Sequence, residues 1–450
     1  MRYCSDYYRK HDPSVIDPGG QIPELLCKVS EVQKKVAWLE SALSVSLIVS
    51  DIVVTLPFSY ISDLLGRKTV LFLNTLSSAL LFAWILFVAN FRGLPIEAII
   101  AGPFITLFGG GDCVLMSTVL VYLTDMVGDS SRRTSYIAYV SSLSYIFSLC
   151  APVLAAATMS VNIWLPLHLG LTMLVGSLLI IAFLPQAQPD LLRRPSSSAE
   201  DVTEETPLLR ELQPPDHRDV SQERETSRFR KAWSACRTIT RLIFIRIDFT
   251  YLIVITLLLA VASSSTELLP LYLSKRYNKT FAQVGYLISI KASVNAFLLV
   301  VVIGVGLKAW LQKHPHTQVD VDFIALKTSL LISAFGSLCL GLAAELWFGI
   351  IAIIIYGFGT AAGVFVLTLA KSPLVAPDDG ESGRKYSILV MARTIGQLVG
   401  TPAMTALWVS TLASGGSQLG LPYLVSSFLY LAILSVAWVA HKRWKSSRET

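Results

Sequence analysis

The chain has 450 residues, of which 53% are hydrophobic and 15% are charged, and its mean hydropathy is +0.59. This composition is too apolar for a soluble domain of such length, and it gives no reason to expect a nucleic-acid partner. It is typical of a protein that crosses the lipid bilayer many times. The net charge of +6 is informative chiefly through where the cations lie.

Apolar runs follow one another along almost the whole chain, and each is long enough to cross a hydrocarbon core about 30 Å thick as a helix. The sequence therefore predicts an all-α membrane protein with 11 transmembrane helices. The runs are 41–63, 69–90, 96–122, 134–158, 162–184, 249–272, 282–306, 323–344, 346–370, 386–411 and 419–440.

A polar stretch rich in Pro, Ser, Glu and Arg separates five of these runs from the other six, and its composition predicts a disordered linker. The predicted domains are an outer segment 1–40, an N-terminal bundle 41–184, a cytosolic linker 185–246, a C-terminal bundle 247–441 and a cytosolic tail 442–450.

Lysine and arginine are distributed unequally between the two sides of the predicted membrane. The short loops on one side hold thirteen of them and those on the other side hold four. Cytosolic loops are enriched in these residues, so the thirteen mark the cytosolic side. Cys4 and Cys27 then lie outside, where a disulfide between them can persist. The sequon Asn278-Lys279-Thr280 also lies outside, where Asn278 is available for glycosylation.

The linker contains the stretch EETPLL at 204–209, in which an acid stands four residues before a double leucine. This spacing resembles sorting signals that adaptor complexes read at endosomal and vacuolar membranes. We therefore expect the protein in the plasma membrane or the vacuolar membrane.

The two predicted bundles resemble each other in sequence. LFGGGDCV at 107–114 aligns with IYGFGTAA at 355–362, at an offset of 248 residues. A basic pair follows in each half, and then a proline within a span, Pro152 or Pro402. Duplicated halves related by an axis along the membrane normal are typical of transporters that bind their substrate between the halves.

The stretch SYISDLLGRKTVLFL at 59–73 lies between the first two runs. It resembles the loop signature G-x-x-x-D-[RK]-x-G-[RK]-[RK] of the major facilitator superfamily at Asp63, Gly66, Arg67 and Lys68. The segments 4–27 and 417–434 are similar to the first outer loop and the last helix of fungal members. The resemblance implies the major facilitator fold, two pseudo-repeated bundles of five and six visible helices.

That superfamily has twelve helices, so the eleven runs correspond to its second through twelfth. We expect either an upstream start codon or a shortened protein without the first helix. The resemblance also implies an inner gate, in which Asp63 faces the helix beginning near Tyr386 and acts with Asp125 and Arg132. Leu64 and Ser59 depart from the signature, where a cation and a glycine are usual.

Several charged residues lie inside the predicted spans, where each costs about 2.5 to 3.5 kcal/mol unless protein or water surrounds it. Functionally, the carboxylates are expected to carry protons and the cations and amides to contact an anionic substrate group. Structurally, they can instead cap helices, pair with one another or reach the interface. Two tyrosines are further lining candidates. The set is Asp51, Asp112, Glu267, Lys291, Asn295, Arg393, Gln397, Tyr145 and Tyr356.

These patterns together predict secondary active transport of a small organic solute, coupled to protons, by a monomer. The chain has no nucleotide-binding glycine loop and no zinc spacing, so no cofactor, metal or catalytic role is expected. One alternative is a non-transporting remnant or a sensor-like membrane protein. A remote alternative is an intramembrane aspartyl protease, because Gly109-Gly110-Gly111-Asp112 matches G-x-G-D; the partner Tyr-Asp and Pro-Ala-Leu motifs are missing.

Overall fold

The computed structural model describes most of the chain outside the predicted linker. The described residues are 2–15, 22–91, 93–126, 130–185, 247–298, 318–370, 382–414 and 416–449. The predicted linker 185–246 lies almost wholly outside them. The side chains of Asp63, Asp125, Arg132 and Tyr145 are likewise outside the described part, although their helical backbone is within it.

Seven α-helices make up the first half of the described structure. They are α1 (Arg2–His11), α2 (Ser30–Leu65), α3 (Arg67–Asn90), α4 (Pro103–Thr106), α5 (Asp112–Met126), α6 (Ser130–Val161) and α7 (Leu165–Phe183). Short 3-10 turns at Pro13–Val15, Glu24–Lys28 and Ile96–Ala101 join some of them.

Eight α-helices lie in the described residues of the second half. They are α8 (Ile247–Ser263), α9 (Leu269–Arg276), α10 (Phe281–Phe297), α11 (Gln318–Leu342), α12 (Leu346–Phe358), α13 (Ala362–Ala370), α14 (Ser382–Ser414) and α15 (Leu421–Glu449). Further 3-10 turns lie at Ser264–Thr266, Gly359–Ala361 and Gly416–Gly420.

The all-helical fold class is confirmed, since every regular element in the described residues is a helix or a helical turn. Seven stretches within that part are long and apolar enough to cross a membrane. Shorter apolar helices occupy Ile96–Thr106 and Leu149–Val161. The count of eleven spans stays a prediction.

Local sequence explains several helix boundaries. α2 ends at Leu65 because Gly66 takes a φ of 86°, a conformation that glycine adopts without steric cost. α10 begins with a capping box, in which Thr280 accepts a hydrogen bond from the backbone N–H of Gln283 and the Gln283 side chain binds the Thr280 N–H. Pro152 and Pro402 lie inside the long helices α6 and α14.

The two halves pack against each other through α2 with α14 and through α6 with α10. A buried cluster links the two halves near the N-terminal end of α2, which comes directly after the segment that contains Cys4 and Cys27. It contains Ala37 of α2 together with Leu268, Tyr272, Met404 and Trp408 of the second half. We call this end of the molecule the outer end, following the predicted orientation.

Candidate functional site

Gly109, Gly110 and Gly111 lie between α4 and α5 and separate the two helices. Gly110 has a φ of 83°, which stops the helix and allows α5 to begin again at Asp112. A methyl group added to Gly111 would lie 1.2 Å from Oδ1 of Asp51. The carboxylate of Asp51 therefore lies directly against the backbone of the interruption.

Asp51 and Asp112 meet at the start of α5. The backbone N–H of Asp112 donates a hydrogen bond to the Asp51 carboxylate, and the two carboxylates also interact electrostatically. The N-terminus of a helix favours an anion because its first N–H groups lack partners within the helix. Asp51 thus caps a neighbouring helix, as one of the two interpretations from sequence proposed, and it brings a second carboxylate to Asp112.

The carbonyl groups freed by the interruption have a partner on α3. Asn74 Nδ2 donates to the backbone oxygens of Gly110 and Gly111, at 2.9 and 3.0 Å. Asn74 is 2% exposed. The buried amide therefore supplies a donor to the Gly110 carbonyl and a second donor to the Gly111 carbonyl, which also accepts from the Leu115 N–H at 3.1 Å.

The second half contains the corresponding interruption between α12 and α13. Ser329 Oγ and Ser333 Oγ of α11 donate to the backbone oxygen of Gly359, at 2.6 and 2.8 Å. Gly359 stands at the offset of 248 from Gly111. The aligned glycine segments thus form interrupted helices in both halves, and polar side chains of a neighbouring helix bind the freed carbonyls in each.

Arg393 of α14 approaches this region from the second half. Its side chain is exposed, and it acts electrostatically on Cys113, as do Asp51 and Asp112. In the described residues it forms no ion pair with either aspartate. Arg393 therefore lies within electrostatic range of a residue of the other half. Gln397, one turn later on α14, is partly buried.

Glu267 lies between the 3-10 turn Ser264–Thr266 and α9, in an irregular stretch of the outer half of the molecule. Thr401 Oγ1 of α14 donates to Glu267 Oε2 at 3.1 Å. The proposed pairing of Glu267 with Lys291 is not present in the described structure, which shows no ion pair between them.

Glu40 is a carboxylate within the candidate span Ser30–Thr55 that the sequence interpretation missed. It lies on α2 and interacts electrostatically with Glu267 of the other half. Ala37, one turn before Glu40, belongs to the same buried cluster as Leu268 and Met404. The predicted first span began at 41, which assigned Glu40 to the outer segment, whereas the helix begins at Ser30. The available signal was that residues 30–40 contain no glycine or proline.

Lys291 of α10 lies over the ring of Tyr356, with its Nζ 4.9 Å from the ring centroid. The Tyr356 hydroxyl is within hydrogen-bond distance of Thr266 Oγ1 and Tyr430 Oη, at 3.0 and 3.1 Å. Asn295, one turn after Lys291, accepts a hydrogen bond from Thr360 Oγ1 at 2.9 Å. These contacts form a polar cluster within the second half.

The loop signature between α2 and α3 is only partly described. Gly66 makes the turn, and Lys68 Nζ at the start of α3 donates to the backbone oxygen of Ala182 at 2.8 Å. The helix expected near Tyr386 begins at Ser382. The gate contacts of Asp63, Asp125 and Arg132 depend on side chains outside the described part, so the inner gate stays a prediction.

At the outer end, a disulfide joins Cys4 and Cys27. Asn278 is exposed in the turn between α9 and α10 and has a φ of 51°. Within the described ranges, no group of three or more His, Cys, Asp or Glu residues is arranged to hold a metal ion.

Comparison with known proteins identifies the family. The sequence model of the Major Facilitator Superfamily matches residues 33–314. The chain belongs to this superfamily.

Relatives and solved structures agree with that assignment. The MFS efflux pump atnC of Emericella nidulans is 28% identical over 436 residues, which cover 96% of this chain and 80% of that protein. The transporter aprT of Aspergillus flavus is 23% identical over 442 residues, covering 96% and 81%. The crystal structure of a D-xylose-proton symporter superposes with a TM-score of 0.59 at 11% identity, covering 95% and 92%, which shows the shared fold.

Membership in the superfamily confirms a multi-pass membrane protein of fungal transporter type that is not an enzyme. Two carboxylates do meet beside the G-x-G-D stretch, as the protease alternative requires. The transporter family nevertheless accounts for that stretch, because the glycines interrupt a helix and the same interruption recurs in the second half.

Proposed function

We propose that this superfamily member is a proton-coupled secondary transporter of a small organic solute that carries an anionic group. Its two halves would alternate access to a site between them. The observation that carries the proposal is that Asp51 and Asp112 of one half and Arg393 of the other half all act electrostatically on the same residue, Cys113.

The aspartate pair is suited to proton transfer. Two carboxylates held close together repel each other, and a proton on either one relieves that repulsion. The N–H of Asp112 donates to the Asp51 carboxylate, so the two residues form one unit, and we expect the pair to exchange the proton. The Asp112 side chain is exposed, and a residue that exchanges protons must be accessible.

The cations supply the substrate contact. Arg393 forms no ion pair with an aspartate in the described residues, and Lys291 has the Tyr356 ring as its partner. A guanidinium and an ammonium group in such surroundings favour an anionic ligand. Asn295, Gln397 and Tyr356 would contribute neutral hydrogen bonds.

The outer carboxylates Glu40 and Glu267 form a second proton-exchange position. Each comes from a different half, so their mutual repulsion depends on how closely the halves approach at the outer end. A proton held between them would favour outer closure, and loss of that proton would favour opening. The similarity to atnC, named an efflux pump, supports export as the direction.

The test begins with a ligand search. A panel of aromatic and aliphatic carboxylates is screened for an increase in the thermal stability of the purified protein. Flux of the stabilising compounds is then measured in proteoliposomes with and without a pH gradient. We expect saturable flux that the gradient accelerates. Absence of any carboxylate flux would favour the non-transporting alternative.

Substitutions separate coupling from binding. Asp112→Asn should abolish gradient-driven flux while leaving exchange of labelled for unlabelled substrate, because exchange needs no net proton movement. Full gradient-driven flux in Asp112→Asn would exclude the role of Asp112. Glu40→Gln should lower the gradient dependence, whereas Glu31→Gln, an exposed position on the same helix, should not.

A further inference from the structure

The described residues 2–15 and 22–28, which we call the outer segment, contact both halves of the molecule. The segment contains α1 and the 3-10 turn Glu24–Lys28, and the Cys4–Cys27 disulfide joins these two elements. Cys4 is 0% exposed and Cys27 is 9% exposed, with Val32 of α2 in the same buried cluster. The disulfide is therefore shielded from reductants and constrains the segment permanently.

The beginning of the segment binds the first half. Arg2 donates through Nη1 to the backbone oxygen of Val88 and through Nη2 to that of Leu94, both at 2.6 Å. Tyr3 Oη donates to Glu97 Oε1 at 2.9 Å. Burial raises the pKa of Tyr3, and the Glu97 carboxylate raises it further, so the phenol remains a donor. These contacts fix α1 to the end of α3 and the loop after it.

The end of the segment binds the second half. Glu24 Oε1 accepts a hydrogen bond from the backbone N–H of Phe281 at 2.6 Å, at the start of α10. Lys28 Nζ donates to the backbone oxygen of Ser274 at 2.9 Å and also to that of Lys279. Lys28 is 7% exposed, so its contacts lie in a largely dry interface.

The disulfide determines how these contacts resist separation of the halves. Glu24 and Lys28 flank Cys27, and Arg2 and Tyr3 precede Cys4. The turn at Glu24–Lys28 is therefore attached to the first half at two places, through the chain into α2 and through the disulfide into α1. A turn held at two points cannot follow the second half when the outer ends separate, so its hydrogen bonds must break.

We propose that the outer segment is a disulfide-stiffened clasp that holds the outer side of the transporter closed. Without the disulfide, the turn would be attached to the first half at one point and would move with the second half. The outer side would then open at lower cost. This role concerns the conformational equilibrium and does not depend on the identity of the substrate or on proton coupling.

Cys113 provides a reporter, because it is partly exposed, follows Asp112 in the chain and lies within electrostatic range of Arg393 of the other half. The parent protein for the test carries Cys150→Ser, Cys236→Ser and Cys339→Ser, which leaves Cys113 as the free thiol. It is reconstituted in liposomes with a C-terminal tag. In liposomes whose tag is protected from protease, the C-terminal tag lies inside, so the outer face of the protein is exposed to the medium. The rate of Cys113 labelling by an impermeant maleimide is measured on them without substrate.

Two variants release the clasp by different means. Cys4→Ser/Cys27→Ser removes the disulfide. Glu24→Ala/Lys28→Met removes the hydrogen bonds that these two side chains make with the second half, while the disulfide and the bond from Lys275 Nζ to the Lys28 backbone oxygen remain. We expect each to label Cys113 about fivefold or more faster than the parent, the lower bound of a typical conformational coupling. Lys10→Met, an exposed lysine of α1, should label at the parent rate.

Equal labelling of the parent and of a folded Glu24→Ala/Lys28→Met variant would overturn the proposal. Folding is checked by monodisperse elution and helical circular dichroism. If the cysteine variant does not fold, the second variant decides the question by itself. Labelling of Cys113 is measured independently of substrate flux. Faster labelling of the variants would therefore support the clasp even if the proposed transport function were wrong.

Discussion

Gly111 and Asp51 show how a single missing side chain creates the central site. The Asp51 carboxylate occupies the place where any other residue at 111 would put its Cβ. Only glycine lets the carboxylate reach the first N–H of α5. The glycine is therefore required by close approach to a charged group, and not by general flexibility.

Gly111→Ala tests this arrangement. The new methyl group should displace Asp51 and reduce gradient-driven transport about 100-fold, the effect of a misplacement of about 1 Å at a reacting group. Gly176→Ala on α7 is the matched control, because nothing lies within 4 Å of its added Cβ. Transport rates of both variants are compared with the parent at equal protein in the membrane. Similar losses in both would show that the effect is general helix disturbance.

At the scale of elements, the interrupted helices of the two halves are held in different ways. In the first half one asparagine of α3 binds two carbonyl groups, and in the second half two serines of α11 bind one. The sequences share glycines at the aligned positions, but the partner side chains are not aligned. Each half has met the same requirement, satisfaction of freed backbone oxygens in a nonpolar surrounding, with different residues.

Asn74→Ala should destabilise the first half. It removes the Asn74 donor from the carbonyl oxygen of Gly110, at about 1–3 kcal/mol for a buried unsatisfied group, whereas the Gly111 oxygen keeps its bond from the Leu115 N–H. The apparent Tm of the purified protein, measured with a thermal-shift dye, should fall. Asn90→Ala, at the exposed end of the same helix, is expected to leave Tm unchanged. An unchanged Tm for Asn74→Ala would mean that another donor reaches the Gly110 oxygen.

For the whole molecule, the topology connects the outer segment, the two halves and the membrane. The segment with Cys4 and Cys27, the end of α9 and the start of α10 lie together at one end of the helices. The unequal distribution of lysine and arginine predicts that this end lies outside. Orientation, clasp and glycosylation therefore all concern the same face.

Glycosylation at Asn278 tests that orientation. If the outer end enters the secretory lumen during synthesis, Asn278 should receive a glycan, since it is exposed in a turn. The expressed protein should then migrate faster on a gel after enzymatic deglycosylation. Asn278→Gln should abolish the difference. The absence of a glycan on a protein whose C-terminal tag faces the lumen would instead reverse the predicted orientation.

The sequence predicted those candidate residues that are recognisable singly, as charged residues within an apolar run. Asp51, Asp112, Glu267 and Lys291 are polar residues in apolar runs, and bilayer energetics marks such residues without a structure. Glu40 was not predicted because it lies at the edge of its apolar run. A carboxylate at that position gives no sign, in the sequence, of the free-energy cost of burial in the bilayer. Asn74 escaped because a neutral amide in an apolar helix gives little indication of which backbone groups it binds.

The sequence by itself determined that the chain is a helical membrane protein, that its halves are repeated and that it belongs with the facilitators. These conclusions follow from composition, run length and local motifs, which need no contacts between distant residues. Only the tertiary structure decided that Asp51 caps α5, that Glu40 meets Glu267 and that the outer segment binds both halves. Each of those contacts joins residues far apart in the chain, and helix packing alone fixes which of the possible partners meet.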